Sequence, residues 1–285
     1  SGSGCSCSSG RAHLWLRACC ATHAVVGAAP MQTRRHPPQL RRHHHLPPHV
    51  RGSQVSTANA EVVTAPVRGP AQLTPGYFAG VMGTGIVSIG AQLTGHVALA
   101  SVLFVLALAF YAVLIALNIW RIASYRKRVV DDLHDPTRAF GFFTFIAATN
   151  VVSAMFVGIG LELPAAVLLA AAIAAWVVMG YSIPWLAVLS NPRRPILEAA
   201  NGTWFIWVVA SQSIAVVAAG IEPLYPEARQ WLAIIAVTTW SMGVMLYAMC
   251  GLLLLFRLIM YRLEPQQLDP PYWITMGAMA ITVVA

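Results

Sequence analysis

Uncharged polar side chains punctuate the long apolar runs of this 285-residue chain: Thr84, Ser88, Thr144, Thr149, Asn150, Ser153, Ser211, Gln212 and Thr275. Hydroxyls and amides can replace part of the water around an anion while holding it weakly, so that the ion can leave again. The same runs lack ionisable groups. No Lys, Arg, Asp or Glu stands between Leu73 and Trp120, and Glu162 is the single one between Ala139 and Pro192. A charge at mid-membrane costs about 2.5–3.5 kcal/mol on insertion scales and is kept for a purpose. The pattern therefore speaks against a proton relay, a redox centre or a metal site within the apolar runs. Enzyme motifs are also missing: there is no P-loop, no HExxH and no nucleophile elbow, and the Gly-Thr-Gly at Gly83–Gly85 follows no strand. The sequence reads as a non-enzyme with no cofactor and no bound metal. His96 falls at a turn, and His134 sits beside Asp131, Asp132 and Asp135 in a charged connection, where a metal site is the lesser reading.

Composition sets the elements that must position these groups. Hydrophobic residues make up 58% of the chain and charged ones 10%, against the ~25% charged usual in soluble domains. A span needs about 20 mostly apolar residues. The runs predict an all-α polytopic membrane protein, with helices near 75–95, 97–120, 140–160, 163–190, 202–221 and 230–258 and a seventh from Pro271. Pro184 predicts a kink in the fourth, and Trp176, Trp185, Trp207, Trp231 and Trp240 read as interface or packing residues. The connections after the second, fourth and sixth helices carry Arg121, Arg126, Lys127, Arg128, Arg138, Arg193, Arg194, Arg257 and Arg262; those after the first, third and fifth carry Arg229 alone. Positive residues stay inside, which predicts a cytoplasmic N-terminus in the plasma or inner membrane. The net charge of +8 follows from this placement and from 8 of the 18 Lys and Arg lying before residue 70, so it does not signal nucleic acid.

Residues 1–70 read as a separate, disordered basic segment rich in Arg, His and Pro. Met31 offers a start within it, which makes the residues before it candidates for untranslated sequence. Its His-rich run, Arg41–His49, is read as a basic tail rather than a metal site. Cys5, Cys7, Cys19, Cys20 and Cys250 are read as neither ligands nor disulfide partners.

The outward-running helices repeat. Each opens on an aromatic pair: Tyr77–Phe78, Phe142–Phe143, Trp204–Phe205 and Tyr272–Trp273, at spacings of 65, 62 and 68 residues. Six residues after the first aromatic stand Gly83, Ala148, Ala210 and Ala278; the next positions are Thr84, Thr149, Ser211 and Met279. Units repeated with one orientation circle an axis along the membrane normal. The aromatic pairs fit an interface belt. The glycines and small residues fit close helix packing or one thin, mildly polar wall of a shared passage, and both explanations stand at this stage. The candidate path consists of Gly83, Thr84, Ser88, Thr149, Asn150, Ser153, Ser211, Gln212 and Thr275.

Four stretches, PGYFAGVMGTGIVSI, FGFFTFIAATN, NGTWFIWVVASQS and LDPPYWITMGAMAIT, resemble the tellurite-resistance/dicarboxylate transporter family of the voltage-dependent anion channel superfamily. That family includes fungal malate and sulfite transporters and plant guard-cell slow anion channels. The resemblance covers residues 73–285. It implies five helical hairpins with quasi-fivefold symmetry around a central pore lined by the odd helices, a homotrimer in the bilayer, and an anionic substrate such as malate, a small monovalent ion or an oxyanion. It also implies a plugging phenylalanine on a ninth helix. Three hairpins and the start of a fourth precede Ala285, so the domain from 71 to 285 reads as incomplete at its C-terminal side, and no residue here inherits the plug. The competing expectation is a non-conducting fragment or a membrane assembly subunit.

Overall fold

The structure is a computed structural model that describes residues 72–189, 196–261 and 270–285. The readings of residues 1–70, of Arg193 and Arg194, and of Arg262 lie outside the described residues. The described chain is helical throughout, without a strand. Its α-helices are α1 (Phe78–Leu93), α2 (Val97–Ser124), α3 (Arg126–His134), α4 (Phe143–Gly158), α5 (Glu162–Pro184), α6 (Phe205–Ile221), α7 (Arg229–Met260) and α8 (Ile274–Val284).

Tight turns fold α1 onto α2, α4 onto α5 and α6 onto α7. The first two turns are copies of one device. Gly95 and Gly160 both take a positive φ, 83° and 76°, and the amides of His96 and Leu161 bond the carbonyls of Ala91 and Phe156 at 2.8 and 2.9 Å. This is the reciprocal helix stop that glycine permits, since it lacks the Cβ that would clash in the left-handed region. The third turn has no such glycine. A 3-10 turn at Glu222–Leu224 and an ion pair between Arg229 and Glu222 take its place.

The hairpins stand side by side in two layers. α1, α4, α6 and α8 contact one another in that order and form an inner row, while α2, α5 and α7 cover it from outside, each packing on its own partner and on the next inner helix. Among the described residues, five helices are long and apolar enough to cross a bilayer: 97–124, 139–158, 162–189, 202–224 and 229–260, the shorter ones counted with their flanking turns. The sequence predicts seven. The two remaining, α1 and α8, have 16 and 11 α-helical residues. The chain is a multi-pass membrane protein.

Two elements differ from expectation. After Pro184 α5 widens into a π-helical turn at Trp185–Leu189 that the sequence does not predict, the adjustment available where a proline has no N–H to give the preceding turn. The charged connection after α2 folds as α3, which packs against that π turn and places Leu133 on the main core, with Arg126, Lys127 and Arg128 exposed. α2 also runs further than predicted, so Arg121 lies inside a helix, as Arg257 does within α7, and both are buried.

Candidate functional site

Each inner helix starts the same way. A 3-10 turn, Pro75–Tyr77, Ala139–Phe142, Gly202–Trp204 or Pro270–Trp273, feeds directly into the α-helix. Prolines open the first and last of these, where a fixed φ suits a helix start and no N–H is wanted. In the third, the Asn201 side chain accepts from the amide of Thr203 at 3.0 Å. The aromatic pairs correct the expected interface belt. Phe78, Phe143 and Phe205 are buried, and Trp204 donates to the carbonyl of Pro136 at 3.0 Å while stacking on Phe140, whereas Tyr77 and Trp273 are exposed. An inner helix covered on several sides leaves little room for a belt on its own start.

The nine path candidates do not form one stripe. Ser88 donates to the carbonyl of Ala100 and Ser153 to that of Ala165, both at 2.8 Å, so each ties an inner helix to its own hairpin partner. Thr149 pairs with the hydroxyl of Tyr111 at 2.8 Å, and Ser211 accepts from the indole of Trp176 at 3.0 Å. Those two bonds join α4 and α6 to the outer helix of the preceding hairpin. Asn150 donates to Ser213 at 2.9 Å between α4 and α6, and Gln212 donates to the carbonyl of Trp240 at 3.3 Å between α6 and α7. All six are buried, and the carbonyl oxygens of Asn150 and Gln212 have no partner among the described residues. In a medium without water a hydroxyl or amide seeks the nearest carbonyl or side chain, which makes such groups interhelical ties. Gly83, Thr84 and Thr275 are placed differently. A Cβ on Gly83 would meet nothing within 4 Å, Thr84 bonds only the carbonyl of Gly80 at 2.9 Å, and Thr275 bonds that of Tyr272 at 2.9 Å.

The glycines of the opening stretch divide likewise. A methyl on Gly80 would strike the ring of Phe110, and one on Gly85 would strike Val151 and Met155, so these two set the distances of α1 to α2 and to α4. Ala148, Ala210 and Ala278 are fully buried in the core. Gly83 stands clear of both roles.

At the basic end of the hairpins the four starts surround a cavity of about 400 Å³. Gly76, Gly141, Thr203 and Pro271 line it, each just before the first aromatic of its unit, and so do Ala79, Thr144, Ile206 and Ile274, each two residues after it. The same two positions of every unit therefore face one space. Thr144 also donates to the carbonyls of Pro75 and Gly141 at 2.9 and 2.7 Å, fastening the first start to the second.

Beside this cavity lies a charge cluster whose arginines the sequence reading took only for topology. Asp132 of α3 holds both Arg121 and Arg138, the latter at 3.0 Å. Across the bundle, Arg257 donates to the carbonyl of Ala200 and to the hydroxyl of Tyr272, the latter at 2.7 Å. Both buried arginines thus stitch an outer helix to the segment that leads into a following inner helix. Their signal in the sequence was position: each directly follows an apolar run instead of standing deep in a polar loop.

The match to known proteins agrees with this geometry. The family described as voltage-dependent anion channel matches residues 72–285. The chain belongs to that family. Members of the curated set also align with it: an uncharacterized membrane protein of Mycobacterium tuberculosis, in strains CDC 1551 and H37Rv, is 55% identical over 40 residues, 14% of this chain and 20% of the relative. The aligned part thus spans about a fifth of the length of those curated relatives.

Proposed function

We propose that the chain passes small anions across the bilayer along the space shared by its inner helices. The observation that carries this reading is the cavity reached by matching positions of all four inner helices, with no carboxylate among its lining residues. Among the described residues, buried charges are confined to Arg121, Asp132 and Arg257 at the helix ends, so the described interior between them is neutral. A neutral path favours channel-like passage over proton-coupled carriage. The substrates are four-carbon dicarboxylates such as malate or small monovalent anions, with oxyanion or tellurite resistance as a related role. The basic end faces the cytoplasm of the plasma or inner membrane, and the chain works as part of a homotrimer. Gly83, Thr84 and Thr275, which have free space or only local bonds, carry the path, and Ser88, Thr149, Asn150, Ser153, Ser211 and Gln212 hold its wall in register.

Flux of chloride and malate into vesicles containing the protein tests the reading. Gly83→Leu and Thr84→Leu are expected to abolish flux while membrane insertion, read by protease protection, stays intact. Wild-type flux in both variants would overturn the assigned path. A current that reverses at the proton potential under a pH gradient would overturn the channel reading.

A further inference from the structure

We infer that the cavity at the basic end is a capture site for a small carboxylate or oxyanion, with Arg138 as the group that binds it. The inference rests on the proposed anion path and adds to it a site, a residue and a ligand class.

Volume comes first. About 400 Å³ lies within the range of small-molecule sites and exceeds what a bare halide needs. Charge is the second ground. Of the thirteen lining residues, Arg138 is the one cation and none is acidic. Asp132 does not by itself cancel it, because that carboxylate is shared with Arg121, and Asp135, the next acidic group, has its Oδ1 occupied by the amide and hydroxyl of Thr137. Arg121 is 2% exposed and does not line the cavity, so a ligand meets the cluster through Arg138, whose side chain is 42% exposed. No described residue other than Asp132 pairs with the Arg138 guanidinium. Its planar fork suits a carboxylate or oxyanion, which it can meet with two parallel N–H groups.

The surroundings add to that charge. The inner helices begin at the cavity, and a helix start carries about half a positive charge. Direct backbone donors are few there, because Pro75, Pro270 and Pro271 have no N–H, and the amides of Gly141 and Thr203 are bonded to Arg138 and Asn201. The helices thus contribute a field, and Arg138 supplies the contact. A site with one strong contact and otherwise diffuse attraction concentrates anions at the mouth of the path without trapping them.

A cysteine reporter reads the site independently of transport. In the full chain with its five native cysteines replaced by serine, Thr74→Cys places a thiol in the cavity wall. The rates of modification by a negatively charged sulfonate methanethiosulfonate and its trimethylammonium counterpart then report the local potential. Arg138→Gln is expected to lower the sulfonate-to-ammonium ratio by about tenfold, the size of one charge lost at short range in a partly screened site. Sodium malate is expected to slow sulfonate modification with Arg138 present and to have no such effect in Arg138→Gln. Arg138→Lys is expected to keep the ratio and lose most of the malate protection, since an ammonium lacks the fork. A ratio unchanged by Arg138→Gln, or malate protection surviving in that variant, would overturn the capture site. Vesicle flux is scored separately: protection without any wild-type flux sinks the proposed function and leaves the site standing, whereas flux without protection does the reverse.

Discussion

The inner and outer helices of this protein are built from different residues for opposite surroundings. Within the spans over 139–158 and 202–224, 72% and 78% of an 18-residue apolar stretch is buried inside the protein, against 17%, 28% and 22% for those over 97–124, 162–189 and 229–260. Yet the outer helices are the more apolar ones. In water the order would be reversed. Within a bilayer, lipid tails accept Leu and Val as readily as a protein core does, so burial goes to the helices that pack closely and bond to neighbours. Ala147, Ala148, Thr149, Asn150 and Ser153 make α4 a buried helix, while Val102, Val105 and Leu106 leave α2 facing outward.

Substitutions that force the layers apart should have the largest effect. A side chain on Gly202 would run into the backbone of Pro271, and one on Gly243 into the side chain of Gln212. Gly202→Val is expected to abolish assembly of the fourth inner helix onto the third, read as loss of folded protein on size-exclusion chromatography in detergent. Gly85→Leu should cost about 1–3 kcal/mol through overpacking against Val151 and Met155, measured by thermal unfolding. A wild-type midpoint there would show that α1 and α4 are not held at the observed distance.

Removing ties within the intact layers should cost less. Thr149→Val, which breaks the bond to Tyr111, should destabilise by about 0.6–2 kcal/mol, in the range of interhelical bonds in membranes. Thr84→Val, whose hydroxyl bonds only its own helix, should leave stability unchanged. Equal losses in the two would erase the distinction between a tie and a path residue. At the small end, Val105→Leu on the outer face should change stability by no more than about 0.5 kcal/mol.

Much of the architecture was legible because it depends on local pattern. Charge-free runs located the helices, and the arginine-rich connections marked one end of every hairpin. The spacing of 65 residues recurs in the structure as Gly95 with Gly160, Ser88 with Ser153 and Tyr111 with Trp176. The reading of the polar residues was less complete. Periodicity placed Thr149 and Ser211 one residue beyond a small position, but it could not say whether a hydroxyl there meets a passage or an aromatic group on the neighbouring hairpin.

The sequence by itself determined the helical hairpins, their repeat and the separation of charge from the apolar runs, because each follows from contacts a few residues apart or from exclusion of charge by lipid. Tertiary structure alone decided which polar groups tie the inner helices and which arginine lines the shared cavity. Those outcomes turn on groups far apart in the chain, such as Asn150 with Ser213 or Gly202 with Pro271, that meet only when whole hairpins pack.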